Sequence, residues 1–445
     1  MEKIRIAIVG VGNCASALIQ GLEYYGNKAR NNSSQGMMAD NIGGYTAEDI
    51  EVVAAFDVDQ RKVGKTLDKA IYAKPNCTIN IIEPQDFPKS CVVVEKGHVL
   101  DGVSEHMRDY SKYPVDTTFL VDETTPSVDI VKRLKEVKAD ILINYLPVGS
   151  EQATKFYAQC AIDAHVAFLN CIPVFIASNP EWEQKFIDAG LPLIGDDMKS
   201  QFGASILSQM LQELAFARGH KVKCHIQENV GGNTDFLNMM NTSRLASKKI
   251  SKENVIRCQH DIRGLDSHES FLYAGPSNYI AYYKDNKIAN FHLELEGFGG
   301  SPVSFDARLS VIDSPNSAGV VIDAIRYLKV ARELGITGSL HGASAFTQKT
   351  PPFPMTFEDA QYECKMLAKR QLTELTKKQV RKEFAQIAYP IIYNKEKGSK
   401  DFDSLLPVVH FDIPQGLLGV VYCPCLSYNR YFYHAGEHHL VLNSL

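Results

Sequence analysis

The stretch Ile4-Arg5-Ile6-Ala7-Ile8-Val9-Gly10-Val11-Gly12-Asn13-Cys14-Ala15 decides the fold of this chain. It begins with an apolar run that is typical of a buried parallel strand. In the G-x-G-x-x-A pattern that follows, Gly10 permits a tight turn, Gly12 lets a pyrophosphate approach the backbone, and Ala15 allows close packing of the next helix. Glycines also serve ordinary turns, so the context must decide. A strand before the pattern and a helix after it predict a dinucleotide-binding unit.

An acidic residue, Asp57, directly follows the second predicted strand, Val52–Phe56. A carboxylate at this place can hydrogen-bond the adenosine ribose and repel a 2′-phosphate, which favours NAD over NADP. Asp57 lies farther from the glycines than the usual spacing of about 20 residues. We therefore expect an insertion over about Gly26–Glu51. The alternative is an Asp that caps a helix and binds no ligand; we favour NAD.

Apolar runs alternate with helical stretches over the first 195 residues. This rhythm predicts a Rossmann-like α/β fold with a doubly wound parallel sheet. The predicted strands are Ile4–Val9, Val52–Phe56, Cys91–Val94, Asp140–Asn144, Val166–Asn170 and Leu191–Ile194. The predicted helices are Ala15–Tyr25, Asp59–Lys69, Ser127–Val137, Glu151–Ala164 and Pro180–Ala189.

The pattern changes from about Lys199, where a long helix precedes a series of alternating strands. The strands predicted there are His225–Asn229, Ser270–Leu272, Asn278–Tyr283, Ile288–Leu295 and Arg308–Ile312. They indicate an inserted α+β domain with a largely antiparallel sheet. A helix at Ala318–Leu334 would then return to the first domain. We predict a cofactor domain at 1–197 and 314–372, a catalytic and oligomerisation domain at 198–313, and a C-terminal extension of unknown role at 373–445.

The composition excludes several classes of protein. The 445 residues carry 47 basic and 52 acidic side chains, a formal net charge of −5. No global positive field attracts nucleic acid or an anionic membrane, so we expect neither as a partner. No apolar run reaches the roughly 18 residues of a membrane span. The ten cysteines have no dense, regular spacing, which indicates free thiols and predicts a cytoplasmic protein.

Polar loops follow several predicted strand ends, where ligands bind in open α/β sheets. Asn144, Leu146 and Pro147 belong to one such loop and are candidate cofactor contacts, although both this loop and 170–173 could be ordinary connections. A later loop opens the long helix and offers hydroxyl, amide and backbone donors to a phosphate. Its candidate residues are Ser200, Gln201, Gly203 and Ser205. The alternative for this loop is a simple helix cap.

Lysines are concentrated in Ser247-Lys248-Lys249-Ile250-Ser251-Lys252. If this segment is helical, Lys248 and Lys252 lie one turn apart on one face. Lysines are usually solvated, so the segment alone favours a position on the protein surface.

The tail contains a candidate metal site. Cys423 and Cys425 with nearby histidines could bind zinc, but their spacing fits no standard ligand pattern. A basic stretch at 377–382 is read as a solvated helix face.

Four segments occur in the order of a known family. They are Gly195-Asp196-Asp197-Met198-Lys199-Ser200, Asn229-Val230-Gly231-Gly232-Asn233-Thr234-Asp235, the lysine segment 247–252, and Ile312-Asp313-Ser314-Pro315-Asn316-Ser317-Ala318-Gly319. With these segments the chain resembles the inositol-1-phosphate synthases over about Ile4 to Leu372. Residues 9–16, 146–151 and 156–164 are similar to the bacterial and actinobacterial branch.

The resemblance implies an NAD-dependent cyclisation of D-glucose 6-phosphate to 1D-myo-inositol 3-phosphate. In this family the C5 hydroxyl is oxidised, an enolate forms at C6 and closes onto the C1 aldehyde, and the C5 ketone is reduced again. The reaction begins the biosynthesis of inositol and inositol phospholipids. The resemblance also implies a homotetramer, with the α+β sheet as its interface.

The resemblance further implies roles for single residues. Lys248 and Lys349 would lie near C5, and Lys287 would face the oxygen charged during ring closure. Lys252 would bind the phosphate, which Lys287 could also reach. The family acids correspond to Asp197, Asp235 and Asp313, the substrate-binding Asn to Asn233, and a cofactor contact to Ser314. Crowding by cations and burial would lower a lysine pKa towards neutrality.

Two alternatives compete with a synthase. One is an NAD-dependent sugar-phosphate dehydrogenase with net redox chemistry; the other is a non-catalytic NAD-binding regulator. A simple dehydrogenase does not need three separated lysines and three acids, and every family position is filled, so we favour the synthase. Family members differ in requiring a monovalent or divalent cation. Asp313 is the one candidate ligand that we name for it.

Overall fold

The computed structural model describes residues 2–27, 34–109, 111–241, 244 and 246–372, and the short strands Val420–Val421 and Tyr431–Phe432. The chain divides into a large unit, 1–261 with 266–374, and a small unit, 262–265 with 375–445. In the small unit, the two short strands pair antiparallel. The predicted basic helix at 377–382 and the Cys and His residues of the tail lie outside the described residues.

The large unit contains a parallel sheet of seven strands, which confirms the predicted α/β fold. The strands are β1 (Ile4–Val9), β2 (Ile50–Asp57), β3 (Val94–Lys96), β4 (Ile141–Asn144), β5 (Ala167–Asn170), β6 (Pro192–Ile194) and β11 (Gly338–Ser339). Their order is β11-β6-β5-β4-β1-β2-β3. Because β1 lies between β2 and β4, the strand order reverses beside the glycine turn. Ligands bind at such a switch point in open α/β sheets.

Helices cover both faces of this sheet because its strands alternate between two hydrophobic clusters. Ile6 and Ile8 pack in one cluster with helical residues of 13–26 and 313–333, whereas Ala7 and Val9 pack in another with helical residues of 130–136, 151–164 and 180–188. The helices of this layer are α1 (Asn13–Gly26), α2 (Leu67–Ala70), α3 (Ile130–Glu136), α4 (Glu151–Ala164), α5 (Pro180–Asp188), α9 (Asp313–Glu333), α10 (His341–Thr347) and α11 (Phe357–Ala368).

The helix expected at Asp59–Lys69 is wrong over most of its length. Only the end of this segment belongs to α2, and the residues before it form turns. The buried carboxylate of Asp59 accepts hydrogen bonds from the backbone N–H of Arg61 and of Leu120. Asp side chains stabilise turns in this way because they compete for backbone donors. Strand β3 also begins three residues later than the expected start at Cys91.

A second sheet of four strands follows in the chain, with the order β10-β9-β7-β8. Its strands are β7 (Lys221–Gly231), β8 (Phe271–Tyr279), β9 (Asn286–Glu296) and β10 (Pro302–Ile312), and its helices are α6 (Ala204–Ala217), α7 (Thr234–Asn238) and α8 (Ala246–Asp261). β9 is antiparallel to both β7 and β10, while β7 and β8 are parallel. In place of the two strands expected over 270–283, the structure has the single strand β8, and Ala281–Tyr283, expected as part of a strand, form a short 3-10 helix. Both sheets belong to the large unit, and the domain boundaries drawn from the sequence stay a prediction.

Candidate active site

A cavity lies where the carboxyl ends of the parallel strands meet the second sheet. Its wall contains seventeen of the predicted site residues: Gly10, Gly12, Asn13, Asp57, Leu146, Pro147, Asp197, Ser200, Ser205, Asn233, Asp235, Lys248, Lys252, Lys287, Asp313, Ser314 and Lys349. The glycine turn and the lysines therefore share one cavity, although they are distant in sequence.

The glycine turn has the geometry that a bound pyrophosphate needs. Gly10 has a φ of +90°, and a Cβ on it would lie 2.6 Å from the carbonyl oxygen of Tyr145. Both the backbone conformation and the close contact therefore require glycine. Gly12 precedes α1, and a Cβ on it would meet nothing within 4 Å. The N-terminus of α1 thus opens onto free space, which fits a cofactor phosphate.

Asp57 lies in the cavity wall, where its carboxylate accepts hydrogen bonds from backbone N–H groups. One oxygen accepts the N–H of Val11 at 2.7 Å, and the other accepts those of Val58 at 2.7 Å and Asp59 at 2.9 Å. The side chain therefore connects the end of β2 to the glycine turn. Its contact with a ribose stays a prediction.

Four predicted contact residues, Ala15, Asn144, Gln201 and Gly203, are absent from the described wall. The amide of Asn144 donates to the side-chain oxygen of Asn170 at 2.9 Å and is fully buried. The amide of Gln201 donates to Asp323 on α9 at 2.7 Å. The amides of these two residues are thus bound to protein groups that support the wall, and their expected ligand contacts stay predictions.

The other two residues support the wall by being small. Ala15 is fully buried in the core beneath the glycine turn, as its expected packing role requires. Gly203 directly precedes α6, and a Cβ on it would lie 2.7 Å from the Cβ of Ser200. Ser200 can therefore pack against the start of the helix only because residue 203 is glycine.

Asp197 is the centre of the lysine cluster. One of its carboxylate oxygens accepts hydrogen bonds from Lys349 at 2.8 Å and Lys248 at 3.0 Å, and the other accepts the hydroxyl of Ser251 at 2.7 Å. The residue is buried and has a φ of +64°. Asp tolerates this left-handed conformation better than most residues, and such conformations are concentrated at functional sites. Three segments that are far apart in sequence, after β6, on α8 and after α10, thus meet at one carboxylate.

A second ion pair lies in the same wall and joins Lys287 on β9 to Asp313, the first residue of α9. Lys252 lies on α8 one turn after Lys248, as its spacing predicted. Asn233 caps α7 through its side-chain oxygen, which accepts the N–H of Asp235 at 3.1 Å. The predicted lysines and acids are therefore brought together, and their individual roles stay predictions.

Burial and neighbouring charges separate the pKa values of the lysines. Burial, together with the charge of Lys248, lowers the pKa of Lys349 to about 8 despite the opposing effect of Asp197. Burial and three neighbouring ammonium groups hold the pKa of Lys252 well below its usual value. Burial also disfavours the charge of Lys248, but Asp197 and Asp235 outweigh this effect and raise its pKa. The site thus combines one lysine whose charged form is favoured, Lys248, with two lysines whose pKa values are lowered, Lys252 and Lys349.

Burial and neighbouring charges also separate the pKa values of the acids. Burial acts against the charge of Asp197, but Lys248 and Lys349 outweigh it and lower the pKa. The pKa of Asp313 is also lowered, because Lys287 outweighs the effect of burial. Burial raises the pKa of Asp235. The charged forms of Asp197 and Asp313 are therefore favoured by the ammonium groups beside them, whereas burial disfavours the charged form of Asp235.

Sequence reasoning missed Asp285, which lies beneath the site. Its buried carboxylate accepts the amide of Asn233 at 3.0 Å and both the hydroxyl and the N–H of Ser314, at 2.9 and 3.1 Å. It thus ties the start of α7 to the start of α9. A single acid two residues before Lys287 gives no pattern in the sequence, so no signal could have identified it.

Sequence reasoning also missed a polar row on β7. His225, Gln227 and Asn229 are buried and alternate along the strand, and the latter two line the cavity. The hydroxyl of Ser208 donates to Gln227 at 2.8 Å, so the nearby ring nitrogen of His225 must be the donor to Ser208. Burial lowers the pKa of His225 to about 4, which agrees with a neutral ring. Polar residues at every second position of a predicted strand were the available signal.

Among the described residues, no group of three or more His, Cys, Asp and Glu side chains could hold a metal ion. Asp313, the candidate cation ligand, is paired with Lys287. In the same part of the chain, every helix is too short or too polar to cross a membrane.

The fold and cavity define a class: a dinucleotide-binding α/β protein whose glycine turn shares a cavity with paired lysines and acids. Residues 203–314 match the family model of myo-inositol-1-phosphate synthase. The chain is 48% identical over 353 residues to the inositol-3-phosphate synthase of Mycolicibacterium smegmatis, a match that covers 79% of this chain and 93% of that protein. The chain therefore belongs to the inositol-phosphate synthase family.

Two further comparisons agree with this membership. The inositol-3-phosphate synthase of Corynebacterium glutamicum is 47% identical over 352 residues, which covers 78% of this chain and 93% of that protein. The crystal structure of a myo-inositol-1-phosphate synthase-related protein from Thermotoga maritima superposes with a TM-score of 0.67 at 24% identity, covering 82% of this chain and 98% of that one. At this identity the structure supports the fold alone.

Proposed function

We propose that this protein is an NAD-dependent inositol-3-phosphate synthase that converts D-glucose 6-phosphate into 1D-myo-inositol 3-phosphate. The observation that carries the proposal is that Lys248, Lys287 and Lys349 share one cavity with the glycine turn of a dinucleotide-binding fold. Bound NAD would accept a hydride from C5 of the open-chain sugar and return it after ring closure. The protein must therefore hold the cofactor, bind the phosphate and move protons around C5 and C6.

The phosphate of the substrate is assigned to the start of α6. This helix has 14 residues, no acidic residue in its first turn and no side chain that caps its first N–H groups. Ser200 and Ser205 flank this helix start in the cavity wall. Lys252 would complete the site, because a bound dianion favours the charged form of a lysine whose pKa is depressed.

Proton movement is assigned to the groups around Asp197. Lys349, with a pKa of about 8, would take the proton of the C5 hydroxyl during oxidation and return it during reduction. Lys248 would remain charged and stabilise the negative oxygen at C5. Lys287 would stabilise the oxygen that becomes charged when the ring closes, and Asp313 would orient it. Asp235 is the nearby acid whose raised pKa suits a further proton transfer.

Assembly is assigned to the second sheet, and we propose a homotetramer. Strand β10 is an exposed edge of eleven residues, on which Val303 and Phe305 are 40% and 41% exposed. A long edge with apolar side chains promotes aggregation unless another chain covers it.

The proposed location is the cytoplasm. Free thiols support it, since eight cysteines in the described residues form no disulfide. A cation stays a prediction that involves Asp313 alone.

The test is a product assay with purified protein, glucose 6-phosphate and NAD. A synthase forms an inositol phosphate without accumulating NADH, because each hydride is returned. A sugar-phosphate dehydrogenase would release one NADH for each product molecule. A non-catalytic NAD-binding regulator would form neither. Either of the last two results would contradict the proposal.

A further inference from the structure

The residue between the two glycines, Val11, has both of its backbone polar groups held by side chains, those of Asp57, which is partly buried, and of Lys62 and Asn76, which are buried. Its N–H donates to Asp57 at 2.7 Å. Its carbonyl oxygen accepts the ammonium of Lys62 at 2.7 Å and the amide of Asn76 at 3.1 Å. Lys62 also donates to the side-chain oxygen of Asn76 at 3.0 Å. Lys62 and Asn76 therefore form one hydrogen-bonded unit that binds the Val11 carbonyl.

Lys62 is an unusual residue for an ordinary turn. It is 1% exposed, and its ammonium lies 3.8 Å from the carboxylate of Asp57. Burial of an ammonium group is costly unless hydrogen bonds and an opposite charge compensate for it. Lys65, three residues later, is exposed, which is the common situation of lysine. The buried charge therefore calls for a role that an apolar side chain could not fill.

The segment that contains Asn76 also holds the other side of the glycine turn. The side-chain oxygen of Asn13 accepts the backbone N–H groups of Cys77 at 2.7 Å and Thr78 at 3.1 Å. Val11 and Asn13 are thus both fixed, and Gly12 lies between them with free space where a side chain would be. Gly12 is the residue whose backbone must face a pyrophosphate.

The Val11 carbonyl and the Gly12 N–H belong to the same peptide plane. In a trans peptide these two groups point in opposite directions, so the side chain that binds the carbonyl also sets the direction of the N–H. Because Gly12 has no Cβ, this peptide could otherwise rotate and direct its carbonyl oxygen towards an anion. Such an orientation would repel a phosphate that the N–H would bind.

We propose that Lys62, together with Asn76, is a positioning residue that fixes the Val11–Gly12 peptide so that the N–H groups of the turn receive the pyrophosphate of the cofactor. The inference rests on the proposed use of NAD. Lys62 acts through the peptide and not through the reacting atoms. Its loss should therefore weaken the binding of dinucleotides and leave the sugar-phosphate site intact.

The test is equilibrium binding of NAD and of ADP-ribose to cofactor-free protein, measured by calorimetry for the wild type, Lys62→Met and the control Lys65→Met. A hydrogen bond from a charged donor makes a loss of about tenfold or more in affinity the expected result for Lys62→Met. Both ligands should lose affinity by the same factor, since both carry the pyrophosphate. At saturating NAD the KM for glucose 6-phosphate should change by less than about twofold, as for a single remote contact.

Unchanged NAD affinity in Lys62→Met would overturn the proposal, and so would an equal loss of affinity for the sugar phosphate, which indicates general damage. If Lys62→Met does not fold, Asn76→Ala keeps the buried charge and carries the same test, with an expected loss of about threefold or more. Normal binding by Asn76→Ala would then contradict the inference. A wild type that binds NAD but forms no inositol phosphate would refute the proposed reaction alone.

Discussion

At the scale of single residues, the site depends on how one carboxylate divides its charge between two ammonium groups. Asp197 binds both Lys248 and Lys349, yet their pKa values move in opposite directions. Lys248 also has Asp235 as a neighbour, whereas the pKa of Lys349 is lowered by the charge of Lys248 itself. The same residue type can therefore serve as a permanent cation and as a proton carrier within one cluster.

The first prediction concerns Lys248. We expect Lys248→Ala to reduce product formation by about a hundredfold or more, because a charged donor at a developing oxyanion contributes about that factor. The dissociation constant of NAD should stay unchanged, because the glycine turn is not altered. Exposed Lys155→Ala on α4 is the matched control. Normal turnover by Lys248→Ala would remove this lysine from the mechanism.

The second prediction concerns pH. The pKa of Lys349 is lowered to about 8, so the neutral form that can accept a proton becomes populated as pH rises through 8. If Lys349 is the base, kcat/KM for glucose 6-phosphate should rise with pH below 8 and level off above it. Lys349→Arg, whose side chain stays charged, should be inactive at every pH. A profile that falls between pH 7 and 8 would assign the base to another group.

At the scale of elements, the turn between β1 and α1 explains why the cofactor prediction was the easiest to make. Its glycines are required by local geometry, which a sequence records directly. The segment Asp59–Lys69 was harder: its helical pattern was overridden by the buried carboxylate of Asp59, which holds a turn. Lys62 gave no sequence signal, because its hydrogen bond is made to the distant backbone of Val11.

The third prediction tests this turn. Gly10→Ala should abolish NAD binding, because the new Cβ would lie 2.6 Å from the Tyr145 carbonyl oxygen at a φ of +90°. Gly64→Ala is a matched control: Gly64 has a φ of +77° but open space around it, so only the strain of about 1–2 kcal/mol applies. Fluorescence titration with NAD compares the two variants. Equal binding of NAD by both variants would show that the Tyr145 carbonyl oxygen does not prevent a side chain at residue 10.

At the scale of the whole molecule, the fold followed from periodicity, but the site did not. The rhythm of strands and helices predicted the parallel sheet, and the family resemblance supplied the lysines and acids. The partners in the cluster come from segments around 197, 248, 287, 313 and 349, which no local pattern connects. Asp285 acts through contacts between segments that are distant in sequence, so only the folded chain reveals it, whereas the polar row on β7 had a local signal in its alternation.

The fourth prediction concerns assembly. Replacing Val303 and Phe305 on the exposed edge of β10 with lysine should convert the proposed tetramer into smaller species, because charges oppose the pairing of strand edges. Light scattering after gel filtration measures the mass. Tyr282→Lys is the control, since Tyr282 is 89% exposed in the turn before β9. A tetramer that persists with both lysines on β10 would place the interface elsewhere.

The proposed reaction requires that one bound cofactor oxidises and then reduces the same carbon atom. Glucose 6-phosphate with deuterium at C5 tests this directly, with mass spectrometry of the product and of the nucleotide. We expect an inositol phosphate that retains the deuterium and a free NADH pool that contains none. Product without the label, or deuterium in released NADH, would contradict it.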